Sequence, residues 1–174
     1  MSDEPVILRP LSEADLVTVE QLLLDPEAVG PLQWFGWSDP GRSRRRWAEN
    51  GLLGEDISVL AVVVAGELCG FVQWRRAGLV PASSYWVIGI QLLPRARGRG
   101  IGTEAQRLLA DYLFAHSPVV RLEADTEVVN LAERRALEKC GFTEEGVLRS
   151  LVFRDGQWRD IVRYSLLRSD RAER

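Results

Sequence analysis

The stretch Arg97-Gly98-Arg99-Gly100-Ile101-Gly102 constrains this chain more than any other part of it. It joins a long apolar run, Tyr85 to Leu93, to a segment in which Ile101, Ala105, Leu108, Leu109, Tyr112 and Leu113 recur on one helical face. A strand that ends in a glycine turn and restarts as a helix aims several free amides, and the positive end of the helix dipole, at one spot. Such a spot attracts phosphate. Gly98, Gly100 and Gly102 let a bulky diphosphate approach the main chain, and Arg97 and Arg99 are placed to add charge-assisted contacts. The turn has no Gly-Lys-Ser/Thr of a nucleotide-binding P-loop, and its spacing is not that of a dinucleotide fingerprint. Taken alone, the turn reads equally well as a flexible connection.

The remaining pattern alternates strands and helices. Strands are predicted at Val6 to Arg9, Ile57 to Ala65, Leu68 to Trp74, Tyr85 to Leu93, Val119 to Asp125, Thr143 to Phe153 and Gln157 to Leu167. Helices are predicted from Ser12, at a capping-box pattern, to Leu24, from Pro40 to Asn50, from Gly100 to His116 and from Asn130 to Lys139. Gly66-Glu67 and Asp155-Gly156 read as hairpin turns. The order implies an α/β (α+β) fold with a mixed sheet flanked by helices. At 174 residues, with 46% hydrophobic and 27% charged residues, the chain suits one globular domain over residues 1–174.

Composition narrows the function classes. The acidic Met1-Ser2-Asp3-Glu4-Pro5 start does not look like a secretion signal, and no apolar run is long enough to cross a bilayer, so a cytoplasmic protein is expected. Cys69, Cys140 and His116 are too few for a zinc or histidine-based metal centre, so no metal is expected. A net charge of −3 argues against general nucleic-acid binding, and the basic run Arg42 to Arg46 reads as a solvated helix face with RNA association as the weaker alternative.

Arg97-x-x-Gly100-x-Gly102, after a long strand and before the Thr103-Glu104-Ala105 helix, resembles the signature of the GCN5-related N-acetyltransferase (GNAT) family. Asn130, Leu137, Gly141 and Phe142 resemble its second block, and Glu144-Glu145-Gly146, Arg149 and the strand from Gly156 to Tyr164 are similar to the ribosomal-protein N-terminal acetyltransferase branch. The resemblance implies a mostly antiparallel sheet of about seven strands with about four helices. It implies an acyl-CoA, most simply acetyl-CoA, whose diphosphate binds to the amides of Arg97, Gly98, Arg99, Gly100, Ile101, Gly102 and Thr103. The main chain of Ile90, Gln91, Leu92 and Leu93 would pair with the pantetheine arm, and Asn130 would face it. The implied reaction is direct attack of an amine on the thioester, with an amide near Gln91 or Leu92 stabilising the oxyanion. Members of this branch often pair, which brings a homodimer into consideration.

Acid–base chemistry is the ambiguous part. Relatives often carry a tyrosine where this chain has Leu137, and a small residue or serine where it has Glu133. Glu123 is the preferred base, with Asp125 on the same strand face and Glu133 as alternatives. Trp34, Phe35 and Trp37 lie outside any periodic segment and are assigned to the acceptor pocket, which implies an acceptor with a flat or apolar part beside its amine. The two readings to separate are an N-acyltransferase acting on a primary amine of a small molecule or protein N-terminus, and a catalytically silent acyl-CoA sensor.

Overall fold

The computed structural model of the protein describes residues 4–172. In chain order its elements are β1 (Val6–Pro10), α1 (Leu16–Leu24), α2 (Pro26–Val29), α3 (Arg42–Asn50), β2 (Ile57–Val64), β3 (Glu67–Gly78), β4 (Ser84–Leu92), α4 (Ile101–His116), β5 (Arg121–Glu127), α5 (Leu131–Lys139), β6 (Thr143–Arg154), β7 (Gln157–Leu167) and α6 (Ser169–Ala172). The seven strands form one sheet in the order β1-β2-β3-β4-β5-β7-β6. All neighbours are antiparallel except β4 and β5.

The elements follow from local chemistry. Ile57 to Val64 is almost wholly β-branched or apolar and is buried from Ser58 onward, as a central strand covered on both faces must be. Its hairpin turns at Ala65-Gly66, one residue earlier than predicted, because both residues take positive φ, 54° and 78°. Asp155-Gly156 makes the second two-residue turn in the same way. Gly51, at φ 64°, closes α3. Strand β5 starts two residues later than predicted, because Val120 stays exposed and pairing with β7 begins at Arg121. The two four-residue helices, α2 and α6, have no periodic signature and were not expected.

Two apolar layers sandwich the sheet. On one face Val62, Val72, Ile88 and Leu122 pack beneath Ala105, Leu109 and Leu113 of α4 and Leu137 of α5. On the other, Val59, Ala61 and Phe71 pack beneath Leu16, Val19 and Leu22 of α1. Trp47 donates from its indole to the Leu11 carbonyl, Trp74 is buried, and Trp86 donates to the Ser117 hydroxyl, so these three tryptophans serve packing. The Arg42 to Arg46 run is a largely neutralised face: Arg44 pairs with Glu20, Arg45 with Asp39, and Arg46 donates to the Ile57 carbonyl.

The feature that makes a site is where β4 and β5 part. Their parallel pairing consists of Trp86 with Leu122 and Val87 with Glu123, and it stops there. Beyond it, Ile88 to Leu92 run on along β3 with their other edge open to a cleft.

Candidate active site

The glycine turn lies at the upper end of that cleft. Gly98 and Gly100 take φ of 70° and 79°, a left-handed backbone that favours glycine, and a Cβ on either would meet nothing within 4 Å. Gly100 caps α4 without any side-chain hydrogen bond. Among the described residues, none of the amides of Gly98 to Thr103 has a hydrogen-bond partner, whereas the Arg97 amide donates to the Pro94 carbonyl. Six consecutive amides and a sixteen-residue helix dipole therefore face open space. That arrangement fits a diphosphate.

The Arg97 side chain corrects the expectation drawn for it. Its Nε donates to the Leu92 carbonyl at 2.9 Å, and its Nη2 reaches the carbonyls of Ala28 and Val29. The guanidinium ties the end of β4 to α2 rather than pointing at the phosphate turn, and burial lowers its pKa. Arg99 is exposed beside the turn.

Strand β4 presents its open edge in alternation. The Leu93 amide donates to Cys69 across β3, so the Gln91 amide also points to β3, and those of Ile90 and Leu92 point into the cleft. Of the two oxyanion candidates, Leu92 is thus on the correct side and Gln91 is not. The Gln91 side chain is turned under the sheet, where its Nε2 donates to the Leu22 carbonyl. The Ile90 carbonyl accepts from Gln33 Nε2 at 3.0 Å. Gln33 was missed from sequence because its partner lies 57 residues away.

Two cavities meet at this edge. One, of 320 Å³, is lined by Gly98, Gly100, Gly102, Thr103, Leu92, Asn130 and Glu133. The other, of 520 Å³, is lined by Phe35, Gln73, Arg75, Gly89, Asp125, Leu151 and again Asn130 and Glu133. Leu32, Gln33, Ile90, Asn130 and Glu133 belong to both, so Glu133 stands at the junction. A groove of 690 Å³ beyond α4, lined by Arg107, Cys140 and Arg168 among others, contains none of these residues.

Asn130 caps α5. Its Oδ1 accepts from the Glu133 amide at 3.3 Å and its Nδ2 donates to the Thr126 hydroxyl at 3.0 Å. The cap fixes the first turn of α5 and thereby aims Glu133 at the junction. Burial pushes the Glu133 carboxyl up to about 7, against the opposing pull of a hydrogen bond with Gln106. The Gln106 Oε1 is buried without a partner.

Glu123, the base preferred from sequence, does not line the cleft. It is 3% exposed, accepts from Arg121 Nε at 2.8 Å and lies 3.5 Å from Arg163. It sits where β4 and β5 are still paired, opposite Val87, so its strand face is closed. Asp125 reaches the larger cavity, but Arg163 grips both its oxygens at 2.9 and 2.8 Å. Leu137 is fully buried in the core. Of the aromatic trio, only Phe35 lines the acceptor-side cavity; Trp34 and Trp37 pack edge to face, with centroids 5.1 Å apart, beside it. His116 stacks on Tyr112 at an exposed helix end, and burial pushes the Cys140 thiol up to about 11.

A family model, the acetyltransferase (GNAT) domain, matches residues 6–143. The chain belongs to the GNAT acetyltransferase family. As a GNAT domain it is an acetyl-CoA-dependent N-acetyltransferase domain, with the seven-stranded GNAT sheet and, among the described residues, six α-helices. It is 28% identical over 165 residues to the spermidine N(1)-acetyltransferase of Escherichia coli K12, covering 93% of this chain and 86% of that one. It is 27% identical over 161 residues to the aminoglycoside N(6')-acetyltransferase type 1 of Klebsiella pneumoniae, covering 84% and 78%. A stretch of 83 residues is 41% identical to YjcK of Bacillus subtilis and spans about half the length of that relative, 46%. The fold is similar to that of a spermidine N-acetyltransferase from Vibrio cholerae solved with CoA and spermine, with a TM-score of 0.81 at 22% identity over 95% of this chain and 96% of that one. It is also similar to RimL, the ribosomal L7/L12 acetyltransferase solved with coenzyme A, at 0.77, 19%, 94% and 94%. No helix among the described residues is long and apolar enough to cross a membrane.

Proposed function

We propose that residues 1–174 work as one domain that acetylates a primary amine by direct transfer, with Glu133 as the group that moves the proton. The observation that carries this reading is the position of Glu133 at the junction of the phosphate-side and acceptor-side cavities. Acetyl-CoA is the second substrate and supplies an acetyl group on a thioester with a sulfur leaving group. The amides of Gly98 to Thr103 would hold its diphosphate, and the open edge of β4 its pantetheine arm. The Leu92 amide would donate to the carbonyl oxygen as charge builds there.

A carboxyl with a pKa of about 7 suits both halves of the proton transfer at neutral pH. The amine enters neutral, having left its first proton in water. As its nitrogen bonds to the carbonyl carbon, Glu133 accepts the nitrogen's proton; as the carbon–sulfur bond breaks, the same carboxyl returns that proton to sulfur. The products are an amide and free CoA, and Glu133 ends as it began. A single carboxyl at the junction thus takes over the task of the tyrosine that Leu137 replaces.

The test follows free CoA thiol from acetyl-CoA over a panel of primary amines. Amine-dependent release that falls at least about a hundredfold in Glu133→Gln supports the reading. Acetyl-CoA binding without release above hydrolysis for any amine would replace it with the sensor reading.

A further inference from the structure

Named relatives of this chain include enzymes for polycations, spermidine and aminoglycosides. Its acceptor cavity offers a polycation little unpaired negative charge. Three carboxylates line the cavity, Asp125, Glu127 and Glu133. Asp125 is gripped by Arg163 through two hydrogen bonds. Glu127, 6% exposed, is paired with Arg154, 4% exposed, whose Nη1 also donates to the Leu32 carbonyl at 2.7 Å. Only Glu133 is without an arginine, and its raised pKa leaves it partly neutral at pH 7. Arg75, by contrast, lines the same cavity and has no carboxylate partner among the described residues. A second or third ammonium entering here would meet arginine-neutralised carboxylates and one unpaired cation.

The mouth is apolar instead. Phe35 and Leu151 line it while 66% and 50% exposed, with Val152 beside them. The Phe153–Trp158 pair, centroids 5.4 Å apart, adds an exposed aromatic surface on the same hairpin. Arg154 bonds this hairpin to Leu32, so it and the Trp34 to Trp37 loop flank one opening. Large exposed apolar groups gathered around a polar junction mark a binding surface.

From these observations we infer that the acceptor is a small singly charged amine on an aromatic or aliphatic body, and that polyamines are poor substrates. The inference rests on the amine-acetylation reading above and specifies its substrate class. The amine end, neutral once bound, lies toward Glu133 and the apolar body lies against Phe35 and Leu151. A cavity of 520 Å³ accommodates a body of one or two rings.

The experiment compares kcat/KM for phenethylamine and tryptamine with that for spermidine and kanamycin, and measures acceptor binding by calorimetry with CoA present. The aromatic monoamines are expected to lead by at least about tenfold, the effect of one unfavourable charge contact of modest strength. Arg75→Glu, at an exposed position, should narrow that lead by about tenfold. Leu151→Ala should weaken monoamine binding roughly fivefold and leave spermidine unchanged. Spermidine equal to or better than the monoamines in the unaltered protein overturns the inference while leaving amine acetylation intact. A short peptide N-terminus preferred over every free amine overturns the small-molecule class. Acetyl-CoA binding with no acetylation of any amine removes the acetylation reading and the inference together.

Discussion

Replacing Glu133 with glutamine should make the protein more stable at pH 8 and nearly inactive. In the native cleft this carboxyl titrates at about 7 because burial disfavours its charge, whereas in the unfolded chain it returns to the ordinary 4.5. Between those values the native state holds a proton that the unfolded chain has released, so its contribution to stability falls as pH rises through that window. At about 1.36 kcal/mol per pH unit the gap amounts to about 3 kcal/mol, and the water admitted by an open cleft reduces it to about 2 kcal/mol. Glutamine has the same shape and does not ionise. Denaturant unfolding of both proteins at pH 4 and pH 8 should therefore show the difference between them moving by about 2 kcal/mol in favour of the variant, the other carboxylates cancelling in the comparison. The pH profile of kcat/KM should lose its limb near 7, with activity down by about two to three orders of magnitude. A stability difference that stays flat from pH 4 to 8, or a variant that keeps both the limb and its rate, would refute the assignment of Glu133 as the buried proton carrier.

Three further outcomes follow from the geometry. Gly100→Val puts a β-branched residue at φ 79° in front of the open amides; strain of about 1–2 kcal/mol should lower Tm by roughly 3–6 °C, while CoA binding by calorimetry disappears. Unchanged affinity would count against the phosphate turn. Gly70→Ala brings a Cβ to 2.1 Å from the Gln91 carbonyl oxygen, so β4 must shift; a loss of about 2–3 kcal/mol in denaturant unfolding and a raised KM for acetyl-CoA are expected. Arg154→Met leaves Glu127 buried without its partner and releases Leu32, which should cost about 3–5 kcal/mol; a loss below about 1 kcal/mol in the same assay would show the pair to be solvated.

Much of the fold was legible in the sequence because its signals are local. The β-branched run at Ile57, the helical apolar face from Ile101 to Leu113, Gly51 and Asp155-Gly156 each act over a few residues, and most elements lie within two residues of their expected bounds. The exceptions are β3, which runs four residues past Trp74 to Gly78, and α1, which is α-helical only from Leu16 after a 3-10 turn at Glu13–Asp15. The glycine turn and its free amides were legible for the same reason: glycines, a preceding strand and a following helix specify that geometry without help from elsewhere. The two four-residue helices were missed because so short a helix leaves no period to read.

Which side chains serve the cleft was decided by distant partners. Alternation correctly put Glu123 and Asp125 on one face of β5, but Arg121 and Arg163 close that face, and Arg163 belongs to another strand. Arg97 looked like a phosphate ligand until its guanidinium met carbonyls nearly 70 residues away. The parting of β4 from β5 depends on pairing between strands far apart in the chain, and together with the Asn130 cap it brings Glu133 to the junction of two cavities. Backbone geometry is set by neighbours in sequence, and so the amide cradle could be read directly. The protonation and freedom of a carboxylate are set by neighbours in space, which only the folded chain brings together.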